Sequence, residues 1–118
     1  MRVLIVDDEK PARDKLQRML AQHSEISVIH QARDAYDALQ QIAEHKPDAV
    51  FLDIQMPEIN GIELAASLPA PVPLIVFVTA YDAYALRAFD ANAIDYLLKP
   101  YDQQRLQRAV QRLGERWQ

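Results

Sequence analysis

Asp7, Asp8, Asp53, Thr79 and Lys99 are the residues whose types and positions could do chemistry, and each follows or closes an apolar run. Arg2-Val3-Leu4-Ile5-Val6 ends in Asp7-Asp8-Glu9, and Asp48-Ala49-Val50-Phe51-Leu52 ends in Asp53. Leu74-Ile75-Val76-Phe77-Val78 ends in Thr79-Ala80, and Ala93-Ile94-Asp95-Tyr96-Leu97-Leu98 ends in Lys99-Pro100. If the runs are parallel strands, three acids, a hydroxyl and an ammonium converge on one edge of a sheet. Such a set can hold a hard cation and accept a phosphoryl group.

Three neighbouring carboxylates repel one another, so at least one pKa should rise unless a cation intervenes. Oxygen ligands without imidazole favour Mg2+ over zinc, and Mg2+ keeps several waters that phosphate oxygens can replace. Taken alone, an Asp-Asp pair after an apolar run is more often a helix cap and a solvated acid than a metal site. Glu9 reads as a cap or a supporting group rather than a ligand. Asp53 is a sharper signal, because the next helix starts nearer Asn60 and Gly61, too far on for Asp53 to cap it. A carboxylate that attacks phosphorus forms an aspartyl phosphate, and that step needs charge neutralisation more than a strong base. Lys99 is expected to supply the charge from the side of the site opposite the metal, although a lone lysine at a strand end can simply seek the surface. Pro100 permits a cis Lys99–Pro100 bond that would fix where the ammonium points. Thr79 can bond a phosphoryl oxygen, or be no more than a β-branched strand residue.

The elements that must position these groups alternate. Pro11 suits the first position of a helix, with Ala12, Leu16, Met19, Leu20 and His23 on one face. Residues 27–32 read as an outer strand. Ala35, Ala38, Leu39 and Ile42 form the next helical stripe, stopped near Lys46-Pro47. A short helix is expected around Ile62 to Leu68, ended by Pro69, Pro71 and Pro73. Asp82 suits the N-cap of a helix through about Phe89, and Asp102 that of a last helix with the stripe Leu106, Val110, Leu113 and Trp117. Gly114 falls inside that stripe, so its final turn is expected to fray. Strands apolar on both faces, alternating with helices, predict an α/β fold with a doubly wound parallel sheet. In such sheets ligands collect beyond the carboxyl ends of the strands, where the acids stand.

With 118 residues, half of them apolar and a quarter charged, the chain fits one globular domain, 1–118. A net charge of −4 argues against direct binding of nucleic acid. Without cysteine there is no disulfide, thiol catalysis or thiolate metal site. No apolar run approaches the roughly 20 residues of a membrane span, and Met1-Arg2-Val3 enters a strand at once without a signal-peptide pattern. The expected setting is the cytoplasm.

Together, Val6-Asp7-Asp8-Glu9, Asp53-Ile54-Gln55-Met56-Pro57, Gly61, Thr79-Ala80 and Lys99-Pro100 resemble the receiver domain of bacterial response regulators, over the whole chain. Residues 77–82, 85–89 and 93–101 resemble the receivers attached to LytTR-type DNA-binding domains, the AlgR/LytR group. The resemblance implies a flavodoxin-like sheet of five strands in the order 2-1-3-4-5, flanked by five helices. It implies Asp53 as phosphoacceptor for a sensor histidine kinase in a two-component system. Mg2+ would be held by Asp8, by Asp7 through water, by Asp53 and by the Gln55 main-chain carbonyl. Thr79 and Lys99 would bind the phosphoryl group, and Tyr96 matches the switch aromatic. Such a protein is a self-phosphorylating, slowly self-dephosphorylating switch rather than a turnover enzyme. It dimerises when phosphorylated and reaches DNA only through an output domain beyond this chain. Arg87, Asp90, Asp95, Arg105, Arg108 and Arg112 offer mixed charges for a symmetric dimer, or are ordinary solvated faces. Tyr81, two after the threonine, either shields the site from water or packs.

Three rival readings remain open. Phosphatases of the haloacid dehalogenase class also use a strand-end aspartate, but their second Asp two residues on is Gln55 here. A nucleotide- or flavin-binding module would need a glycine-rich loop, and the chain has only Gly61 and Gly114. A receiver-like interaction domain that is never phosphorylated would not need the complete acid, threonine and lysine set. His23, His30 and His45 lack metal-ligand spacing.

Overall fold

The computed structural model describes residues 1–82 and 92–117. Its strands are β1 (Arg2–Val6), β2 (Val28–Ala32), β3 (Ala49–Asp53), β4 (Leu74–Thr79) and β5 (Asp95–Leu98). The described helices are α1 (Lys10–Leu20), α2 (Ala35–His45), α3 (Gly61–Ser67) and α4 (Gln103–Arg116). The strands form one parallel sheet in the order β2-β1-β3-β4-β5, as the resemblance implied. The expected helix from Asp82 to Phe89, with Arg87 and Asp90, falls on residues 83–91, outside the described residues.

Successive strand side chains point to opposite faces, and both faces are buried here. Val3, Ile5, Phe51, Val76, Val78 and Leu97 pack with Leu16 and Leu20 of α1 and with Leu106, Val110 and Leu113 of α4. Leu4, Val6, Val50, Leu52, Ile75 and Phe77 pack with Ala35 and Ala38 of α2 and Leu64 of α3. Burying each such Leu, Ile, Val or Phe stabilises by roughly 1.5–3 kcal/mol. The polar residues are therefore pushed to the strand ends.

Helix ends follow their capping chemistry. Asp34 accepts from the Asp37 amide at 2.8 Å, and α2 stops at Lys46, left-handed at φ 48°, just before Pro47. Asn60 and Glu63 form a reciprocal capping box that starts α3 at Gly61, one residue earlier than expected. Asp102 accepts from the Arg105 amide at 2.8 Å. Pro11 sits second in α1, not first, because Lys10 opens the helix and Glu9 is the cap residue, without a side-chain capping bond.

Four expectations fail locally. α4 runs past Gly114 to Arg116, and Trp117 then turns to φ −76°, ψ 128°, leaves the stripe and is 44% exposed. β5 starts two residues into its apolar run. Its first residue, Asp95, is buried rather than part of a charged face, because Arg105 bonds both its oxygens at 3.0 and 2.7 Å and Arg112 lies 3.0 Å away. Among the described residues no helix is long and apolar enough to cross a membrane.

Candidate functional site

The parallel register builds the site. Val6 of β1 pairs with Leu52 of β3, so Asp7 and Asp53 come next on adjacent strands. Asp53 pairs with Val78 of β4, so Thr79 lies one step further, and Thr79 pairs with Leu98, so Lys99 follows. One carboxylate oxygen from each of Asp7, Asp8 and Asp53 lies within 4.8 Å of the others. Asp7 and Asp53 are buried at 5% exposure each, whereas Asp8 faces solvent. Opposite oxygens of an octahedral Mg2+ stand about 4.2 Å apart at bond lengths near 2.1 Å. The donors are all oxygen, and their 4.8 Å bound lies close to that span, so the set suits Mg2+.

Lys99 reaches into the cluster. Its Nζ donates to Asp7 Oδ2 at 3.0 Å and lies 3.9 Å from Asp53 Oδ2. With buried carboxylates beside it, the ammonium settles where it neutralises most charge. The Lys99–Pro100 bond is cis.

The expected pKa disturbance falls on Asp53. Burial and then the neighbouring Asp7 charge push it up to about 7, against the pull of Lys99. Burial disfavours the charge of Lys99, but its bond to Asp7 and the Asp53 charge outweigh this and raise its pKa. Tyr101 is pushed up to about 12 by burial and by Asp7.

Backbone contacts fix the acids. The Glu9 amide donates to Asp7 Oδ1 at 2.9 Å, and the Gln55 amide to Asp53 Oδ1 at 3.3 Å. Gly61 makes close approach possible: a Cβ there would stand 2.2 Å from the Asp53 carbonyl oxygen. Thr79 is fully buried and its Oγ1 accepts from the Tyr81 amide at 3.3 Å. Tyr96 donates its hydroxyl to the Tyr81 carbonyl, and Tyr81 is 53% exposed.

Reading by sequence missed Arg13. Its Nη1 donates to the Asp7 carbonyl at 2.8 Å and its Nε to Gln31 Oε1 at 3.0 Å. A signal existed, since a cation in the first turns of a helix opposes the dipole and needs a partner. Of the histidines, His30 stacks on His45 at 3.9 Å, and His23 meets Gln103 at 3.2 Å.

The response regulator receiver domain family matches residues 3–111. The chain belongs to that family. An uncharacterized response regulatory protein of Vibrio cholerae is 57% identical to this receiver domain over 111 residues, 93% of this chain and 47% of that protein. The transcriptional regulatory protein BtsR of Escherichia coli K12 is 45% identical over 116 residues, 98% of this chain and 48% of BtsR. The receiver domain thus spans about half the length of the curated relatives it matches. The response regulatory domain of the MrkE protein from Klebsiella pneumoniae superposes with a TM-score of 0.90 at 38% identity, covering 99% of this chain and 98% of that one.

Proposed function

We propose that this receiver domain is a switch in which Asp53 accepts a phosphoryl group from a sensor histidine kinase. The observation that carries the reading is the meeting of Asp7, Asp8, Asp53 and Lys99 at one sheet edge. An Asp53 oxygen attacks phosphorus as the phosphohistidine N–P bond breaks, and its electron pair returns to the imidazole. Lys99 offsets charge on the phosphoryl oxygens, and Thr79 donates its hydroxyl to one of them. Asp7, Asp8, Asp53 and the Gln55 carbonyl would hold Mg2+, which when bound supplies charge neutralisation at the transferring group.

The product adds up to about two negative charges beside Thr79. Thr79 moves toward them, and Tyr96 leaves the Tyr81 carbonyl and turns into the space released. This shifts an existing equilibrium rather than creating a state. The strand β5 and α4 then carry the change to a dimer and to an output domain. A DNA-binding output of LytTR type is supported by the motifs at residues 77–101, by the half-length match, and by the transcriptional role in the name of BtsR. The domain works once per phosphorylation, as a switch and not a turnover enzyme, in the cytoplasm where its kinase presents phosphohistidine.

Intact mass after treatment with a small phosphodonor tests this. The expected result is one added phosphoryl group with Mg2+, none with chelator, and none in Asp53→Asn. Undiminished labelling of Asp53→Asn would overturn the assignment.

A further inference from the structure

Arg13 lies outside the carboxylate pocket yet holds its backbone. The Asp7 carbonyl that accepts from Nη1 at 2.8 Å belongs to the peptide joining Asp7 to Asp8. The same guanidinium is anchored at Nε by Gln31 Oε1, at 3.0 Å. Gln31 is itself fixed, because its Nε2 donates to Gln17 Oε1 at 2.6 Å and to Asp14 Oδ1 at 3.2 Å. Its own carbonyl accepts from Gln41 Nε2 at 2.6 Å. A chain of bonds thus runs from the outer strand β2, across α1, to the peptide that orients Asp8. Asp8 needs this most, since it is the solvent-facing member of the three acids.

We infer that Arg13, braced by Gln31, is a positioning residue that sets the Asp7–Asp8 peptide for cation binding. The inference rests on the proposed Mg2+ site. Charge and position make opposite demands here. As a cation near the pocket, Arg13 repels Mg2+, so deleting its charge alone would tighten binding. As a brace it does the reverse, because groups that orient metal ligands are worth roughly 10-fold or more in affinity. Lysine keeps the charge but lacks the fork that reaches both oxygens.

MgCl2 titrations of the unphosphorylated chain, followed by amide chemical shifts, read the sign. Arg13→Gln is expected to raise the Mg2+ Kd roughly tenfold, and Arg13→Lys to raise it as well. Gln31→Ala, which keeps the charge and removes the brace, should raise it by a smaller factor and carries the test should Arg13→Gln fail to fold. Saturating MgCl2 should restore phosphodonor labelling in each, a rescue that general damage to the fold would not show. An unchanged or lower Kd in Arg13→Gln and Gln31→Ala, with the wild type binding normally, overturns the inference and leaves the site standing. No Mg2+ binding by the wild type overturns the site itself, and this inference with it.

Discussion

Lys99 Nζ bonds Asp7 Oδ2 at 3.0 Å and stands 3.9 Å from Asp53 Oδ2. The ammonium therefore rests on a carboxylate assigned to the metal, not on the assigned phosphoacceptor. Lysine and a divalent cation compete for the same negative pocket. Lys99→Gln should then bind Mg2+ more tightly, on the order of tenfold for roughly 1.4 kcal/mol of relieved repulsion, while accepting a phosphoryl group more slowly. Calorimetric titration with MgCl2 checks the first half, and weaker binding would refute the competition.

The raised pKa of Asp53 gives the ion-free protein a pH-dependent stability. In the unfolded chain this carboxyl titrates near 3.8, and in the folded one near 7. Its contribution is fully present below the lower value and is lost as pH rises through the higher. Urea unfolding with chelator should show stability falling by on the order of 2 kcal/mol between pH 5 and pH 8, since each pKa unit is about 1.4 kcal/mol. Asp53→Asn should flatten that slope and be the more stable protein at pH 8. A slope unchanged in the variant would assign the effect to another group.

The two glycines predict opposite outcomes. Gly61→Ala puts a methyl 2.2 Å from the Asp53 carbonyl oxygen, a backbone clash that side-chain motion cannot relieve. It should cost about 1–3 kcal/mol and weaken Mg2+ binding by displacing the end of β3. Gly114→Ala meets nothing within 4 Å inside α4, and should stabilise by about 0.5–1 kcal/mol. Thermal unfolding of the pair gives both signs, and a stabilised Gly61→Ala would contradict the geometry.

Buried Asp95 ranks its two arginines. Burial pushes its pKa up, but Arg105, the Tyr96 amide and Arg112 together hold it below the ordinary 3.8. That stability is present above the unfolded value and lost as pH falls through the folded one. Arg105→Ala removes the bidentate partner and leaves Asp95 to Arg112 and the Tyr96 amide, and should cost about 1.5–3 kcal/mol. Arg112, 55% exposed, should cost under about 1 kcal/mol when removed. Equal losses in chemical denaturation would show that the pairing is shared differently.

The sheet and the three acids were legible in the sequence because each acid follows or closes a run apolar on both faces, and parallel register brings such ends together. Thr79 and Lys99 were placed by the same argument. Choice of partner was not legible. Nothing local says that Lys99 turns to Asp7, or that Asp95 is met by residues ten and seventeen positions later. Trp117 kept the period of the α4 stripe but left its face when the helix ended. Arg13 was overlooked because its partner is a carbonyl, and backbone acceptors leave no trace in residue type.

Chemical mapping of the modified residue shows whether Asp53 is the phosphoacceptor. Borohydride reduces an aspartyl phosphate to homoserine, so the labelled chain can be reduced, digested and sequenced by mass spectrometry. Homoserine is expected at position 53, with Asp7 and Asp8 unaltered. Homoserine at position 7 or 8, or a phosphoryl group that survives reduction on another residue type, would contradict it.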